Sequence, residues 1–142
     1  MCIRDSNKRE LGDWWRKTRF QSYEGITLPG FPNLFSIATP YAYNGLSFFS
    51  TIESQMQHME RCLGEMKKKR ASGFEVTEEA CTRFTDAMQA NVGQSVFARG
   101  QCASANSYYY NPHGEAVLLR PTSTQDALHQ QSNFPLNSYV FA

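Results

Sequence analysis

A chain of 142 residues, 41% of them hydrophobic, can build one domain with its own core, because folding at this size removes roughly 70% of the unfolded surface from water. Its 14 Lys and Arg against 13 Asp and Glu leave a formal net charge of +1, which excludes the broad positive field of a dedicated nucleic-acid binder or a polybasic membrane-surface protein. No apolar run approaches the roughly 20 residues that cross a bilayer, and residues 1–30 are too charged for a signal peptide, so a soluble cytoplasmic chain is expected.

Met1-Cys2-Ile3-Arg4-Asp5-Ser6 resembles the in-frame translation of a transposase-end adapter used to fragment DNA for sequencing. Residues 1–6 are therefore set aside from the functional argument, and the natural chain is expected to extend upstream of Asn7. Residues 7–24 mix charges with Trp14, Trp15, Phe20 and Tyr23 and show no clear period, which suits a surface loop or short helix. Gly25, Pro29, Gly30 and Pro32 then force turns and extended backbone. Leu34-Phe35-Ser36-Ile37-Ala38, closed by Thr39-Pro40, has the profile of a short strand buried on both faces of a parallel sheet.

The clearest helix follows. Phe48, Ile52, Met56, Met59, Leu63 and Met66 recur at steps of three and four, with Glu53, Gln57, Glu60 and Lys67 on the other face. Asn44 and Ser47 can cap its start, and Gly73 stands where a left-handed stop is expected. Lys67 to Arg70 complement the dipole of the last turn and read as a solvated helix end. A second helix is expected from Thr77, an N-cap followed by Glu78 and Glu79, to Val92-Gly93, with a stripe of Cys81, Phe84, Met88 and Val92. Ser107 to Tyr110, the turn Asn111-Pro112-His113-Gly114 and Ala116 to Leu119 read as a β-hairpin. From Pro121 onward the apolar residues are sparse, and this tail is expected to lie over a neighbouring surface.

The four cysteines have no CxxC spacing and the three histidines no HxxxH or HxH pair, so no metal site is expected. Cys62 and Cys81 fall on helical stripes and read as core filler. GxGxxG, GxxxxGK[ST], GxSxG and HExxH are all absent. The residues taken by themselves describe an α/β piece with an aromatic hairpin and no self-contained active site.

Gly30-Phe31-Pro32-Asn33-Leu34-Phe35, followed by Tyr43-Asn44-Gly45-Leu46-Ser47-Phe48-Phe49 and Ile52-Glu53-Ser54-Gln55, resembles the C-terminal part of FAD-dependent, NADPH-using monooxygenases of the Baeyer-Villiger and flavin-containing monooxygenase group. Asn106 to Asn111 with Gly114, and Leu119-Arg120-Pro121, are similar to that family's SWY-N-x-x-G and WP signatures. The likeness spans about residues 14–141. It implies an α/β fold that is the C-terminal piece of a flavoprotein with two dinucleotide-binding domains: a buried strand ending the FAD domain, two helices and a β-hairpin, all within residues 7–142. The parent would use FAD, NADPH and O2 to oxygenate a small ketone (Baeyer-Villiger) or heteroatom substrate through a C4a-peroxyflavin.

The same likeness implies flavin contact, mostly through backbone, for Asn44, Gly45, Leu46, Ser47 and Phe48, and a place for Tyr108 in the NADPH or substrate pocket. On residue type alone Asn44 and Ser47 are ordinary caps, Phe48 is core and Tyr108 is a packed hairpin aromatic. Thr39-Pro40 stands where many relatives carry Gly-Pro, and Tyr108 where Trp is common, so the loop is expected to differ in substrate shape. The dinucleotide fingerprints and the arginine of the family chemistry lie upstream, so no catalytic residue is expected here and the chain alone is expected to be inactive. The alternative is a non-catalytic binding or interaction module with an α/β core.

Overall fold

Residues Ser22 to Pro29 are buried without interruption and form the hub on which the rest is laid. The computed structural model describes residues 3–5, 7–43, 45, 47–99 and 107–142. Within the hub the chain reverses, Tyr23 pairing with Thr27 across Glu24 and Gly25 at φ 54° and 76°. A Cβ on Gly25 would collide with the Cα of Ala42, so the approach of these two segments requires a glycine.

Among the described residues four α-helices and a two-stranded ribbon surround the hub: α1 (Leu11–Lys17), α2 (Phe48–Lys69), β1 (Phe74–Val76), α3 (Glu78–Val92), α4 (Thr124–Asn133) and β2 (Tyr139–Phe141). The ribbon is antiparallel, with Phe74 opposite Phe141 and Val76 opposite Tyr139. Its inner residues join Tyr23, Ile26, Phe84 and Phe134 in the main core. A smaller cluster of Leu11, Leu28 and Phe31 sits under α1.

The helix α3 starts as its sequence requires: Thr77 Oγ1 accepts from the Ala80 N–H at 3.2 Å, and Cys81, Phe84 and Met88 are buried. The hairpin is reduced to a single antiparallel bridge, Tyr110 with Ala116. Its turn is closed by Asn111 Oδ1, which accepts from the N–H groups of His113 and Glu115 at 2.9 and 3.0 Å.

Three expectations are corrected. Leu34 to Ala38 is irregular, with Ile37 exposed and Ala38 left-handed at φ 59°. A strand buried on both faces needs a neighbour on each edge, and among the described residues none pairs with this segment. Second, the tail after Pro121 belongs to the core: α4 packs on α2, Phe134 and Tyr139 are buried, and β2 completes the ribbon. Third, α2 stops on Arg70, left-handed at φ 53°, whose N–H reaches Lys67 O and Met66 O, three positions before Gly73.

The largest departure is the face that α2 buries. Thr51, Ser54, Gln55, His58 and Cys62 point inward, whereas Phe49, Met56 and Leu63 are 79%, 57% and 54% exposed. The inward face is polar and partly bonded: Gln55 Nε2 donates to Gly25 O at 2.8 Å, and His58 Nε2 lies 3.2 Å from the Tyr139 hydroxyl, while Gln55 Oε1 and His58 Nδ1 have no partner among the described residues. Of the expected stripe, Met59 and Met66 pack against the main core while Phe48, Met56 and Leu63 are exposed, so the buried face is rotated away from the most hydrophobic one. The uncovered stripe should make the isolated chain bind hydrophobic dye and self-associate. Phe49→Lys combined with Met56→Lys is expected to reduce dye fluorescence several-fold and to shift sedimentation toward monomer. Unchanged dye binding would mean that the exposed surface lies elsewhere.

Candidate functional site

The polar backbone of residues 39–43 is held on every side. The Tyr41 N–H donates to Val117 O at 2.7 Å, the Ala42 N–H to Thr39 O at 3.0 Å, and Tyr43 O accepts from the Arg120 N–H at 2.9 Å. Tyr43 also pairs with Leu119 in a parallel bridge. The chain therefore leaves this anchor in a set direction toward the start of α2.

Of the residues expected at the flavin, Gly45 is exposed and left-handed at φ 85°, with open space where a side chain would project. Ser47 is the N-cap residue of α2, but its hydroxyl caps no N–H; its carbonyl accepts from the Thr51 N–H at 3.1 Å. Phe48 is half-exposed and its ring lies 6.3 Å from that of Tyr43, so it is not core. Asn44 and Leu46 lie outside the described residues. No acid stands in the first turn of α2. Its outward N–H groups and the positive end of its dipole are therefore not neutralised locally, the condition in which a helix start accepts an electron-rich partner.

Tyr108 is 79% exposed and stacks on Tyr109 at 4.5 Å. It lines a cavity of about 470 Å³ together with Trp15, Phe20, Ile37, Thr39 and Leu118. The structure thus brings Tyr108 to the end of the 34–38 segment, while Gly45, Ser47 and Phe48 do not line that cavity. Its walls are mainly aromatic and aliphatic, suited to a flat or apolar guest.

Two buried polar groupings went unread in the sequence. Cys62 Sγ lies 3.1 Å from His58 Nε2, the spacing of a nucleophile and its base. Its electrostatics are opposite to that role: burial, with a smaller contribution from the Arg61 charge, pushes the imidazole down to about 3, and burial pushes the thiol up to about 12. A neutral thiol beside a neutral imidazole is inert packing. Cys81 is likewise buried and pushed up to about 12 by burial.

In the second grouping Arg120, its side chain fully buried, meets Glu24 Oε2 at 2.6 Å and Gln130 Oε1 at 2.7 Å through Nη2, and covers the Phe84 ring. A lone Arg in a sequence carries no sign of such a pair, since its partner is 96 positions away.

No protein-family model matches the chain. Over 120 residues it is 32% identical to a Baeyer-Villiger monooxygenase of Pseudomonas aeruginosa, a match covering 82% of this chain and 22% of that protein. A monooxygenase of Sinorhizobium fredii is 26% identical over 135 residues, covering 94% of this chain and 20% of the other. The fold is similar to that of steroid monooxygenase bound to NADP, with TM-score 0.80 and 18% identity over 99% of this chain and 26% of that one. It is also similar to OTEMO in complex with FAD and NADP, with TM-score 0.76 and 22% identity over 100% of this chain and 26% of that one. The chain spans about a fifth of the length of the curated relatives it matches.

Proposed function

We propose that this chain, a homologue of Baeyer-Villiger monooxygenases with the fold of their C-terminal part, supplies that part of an FAD- and NADPH-dependent enzyme that oxygenates a small ketone or heteroatom substrate with O2. Residues 7–142 form the piece, and residues 1–6 are the adapter translation. The observation that carries the reading is the sequence identity to the Pseudomonas enzyme. The apolar face that α2 leaves uncovered supports it, because a piece of a larger protein exposes the surface on which the remainder packs.

FAD, when bound, supplies the redox chemistry, with NADPH as reductant. The role of this chain is to bind, orient and exclude water. The open left-handed Gly45 lets backbone approach a planar ring closely, and the uncapped start of α2 offers N–H groups and a partial positive charge to the electron-rich pyrimidine edge of a flavin. Ser47 and Phe48 would complete that wall, and the resemblance assigns Asn44 and Leu46 to the same cofactor. Tyr108, over the aromatic cavity, would line the pocket of the nicotinamide cofactor or the substrate. No residue of the chain is assigned a catalytic role.

The test is to recover the source reading frame upstream of Asn7 and express the whole protein. A continuous frame with GxGxxG, a bound flavin and NADPH oxidation accelerated by ketones is the expected result. A native stop codon just before Asn7, or a whole protein without flavin, overturns the reading in favour of an interaction module. In that whole enzyme Gly45→Val is expected to weaken FAD retention about tenfold, since a β-branched residue both resists positive φ and crowds the ring. Lys68→Val, exposed at the other end of α2, should leave the flavin alone. Equal FAD affinity in the two variants would remove the loop from the cofactor site.

A further inference from the structure

We infer that Gln131, on the last helix, is the positioning residue of the loop that enters α2. Its consequence at the cofactor rests on the flavoprotein reading above, whereas the geometry stands alone. Gln131 is fully buried, and its Nε2 donates to the carbonyl of Ala42, also fully buried, from 89 positions away. Elsewhere in the anchor, backbone of the same or neighbouring segments bonds the Tyr41 N–H, the Ala42 N–H and Tyr43 O, and the Ser22 hydroxyl donates to Pro40 O at 2.7 Å. The Ala42 carbonyl takes its partner from α4.

The orientation of that amide is imposed at its Ala42 end. A carbonyl only accepts, so the nitrogen must face Ala42, while Gln131 Oε1 lies 3.0 Å from the Ser54 hydroxyl on α2. Ala42 has no room to swing away, because Gly25 packs directly on its Ca atom, and Gly25 O is itself held by Gln55 Nε2 at 2.8 Å. Two glutamine amides from two helices thus clamp two touching stretches of main chain. With its carbonyl fixed, Ala42 sets the direction in which the chain passes through Tyr43 to Gly45 and the start of α2. Water cannot replace the donor at a fully buried site, so removing it leaves an unmet acceptor next to the loop.

Hydrogen exchange read by mass spectrometry tests this on the 142-residue chain. In Gln131→Met the amides of Tyr41, Ala42 and Thr51 are expected to exchange about ten- to hundredfold faster, with the α3 amides of residues 82–90 nearly unchanged. Gln125→Met, exposed on the same helix, serves as control. Ser54→Ala, a milder change that frees the amide to turn, should produce a smaller effect in the same place and decides the matter where Gln131→Met does not fold. A uniform rise that includes α3 in whichever variant folds, or no rise at all, overturns the positioning role. In the whole enzyme Gln131→Met is expected to weaken FAD binding about tenfold and to shift the flavin absorbance, an effect that merely lowered stability would not give. FAD held unchanged by that variant overturns the link between clamp and cofactor; a whole protein without flavin overturns the flavoprotein reading, while the exchange result stands on its own.

Discussion

Arg120→Met is expected to be the most damaging single substitution in the chain, costing about 3–5 kcal/mol of unfolding free energy or preventing folding outright. The guanidinium is fully buried and joins Glu24 in the hub, Gln130 on α4 and the Phe84 ring on α3. Burial holds the Glu24 carboxyl above its ordinary value, and the Arg120 charge pulls it back toward ionisation. Without Arg120 that restraint is gone, and Glu24 must either keep an uncompensated charge in the interior or take up a proton. The double variant Glu24→Gln, Arg120→Met should recover a large part of the loss, because no charge is then left behind. The exposed pair Arg83 with Glu79, one turn apart on α3, gives the contrast: Arg83→Met should cost less than about 1 kcal/mol. Urea midpoints measured on the four proteins check this, and an Arg120→Met loss as small as that of Arg83→Met would show that the buried pair contributes little.

The second large effect is a pH dependence traced to His58. Its ring is fully buried, stacks on Phe134 and contacts the Tyr139 hydroxyl and Cys62, and burial lowers it from 6.5 to about 3. The folded chain therefore keeps His58 neutral where the unfolded chain protonates it. The stabilising contribution is complete above pH 6.5 and is lost progressively as pH falls toward 3. At about 1.4 kcal/mol per unit, the decline between pH 6.5 and 4.5 reaches about 3 kcal/mol. His58→Gln is expected to lower stability at pH 7 yet to flatten this acid slope. Glu24, raised by burial, works in the opposite direction as it titrates, but it is present in both proteins and cancels in their difference. Parallel stability-against-pH curves for the two proteins would assign the acid sensitivity to other groups.

Local rules carried the reading of those parts whose physics is local. Thr77 caps α3 because its hydroxyl is three residues from the N–H it accepts, and the stripe Cys81, Phe84 and Met88 falls inside because that helix has one apolar face. The Asn111–Gly114 turn was legible for the same reason: its bonds close within four residues. The start of α2 and the glycine before it were visible too, and the FPNLF and SYY–N stretches carried the resemblance to Baeyer-Villiger monooxygenases in their residue order.

What only the tertiary structure decided was every choice that depends on a distant partner. Leu34 to Ala38 has strand composition and, among the described residues, no strand beside it, so it is irregular. The tail has too few apolar residues to suggest a core, yet it contributes Gln131 and Ser138 to the interior. They are buried once Ala42 O and the Tyr23 hydroxyl bond them. Most telling is α2, whose period was plain but whose inward face was not. Hydrophobicity marks which residues leave water when a partner surface is present, whereas Thr51, Ser54, Gln55 and His58 enter the core because Gly25, Gln131 and Tyr139 bond or border them from elsewhere in the chain. A buried polar residue is stabilised by the partner it finds, and that partner is set by the fold rather than by neighbouring sequence.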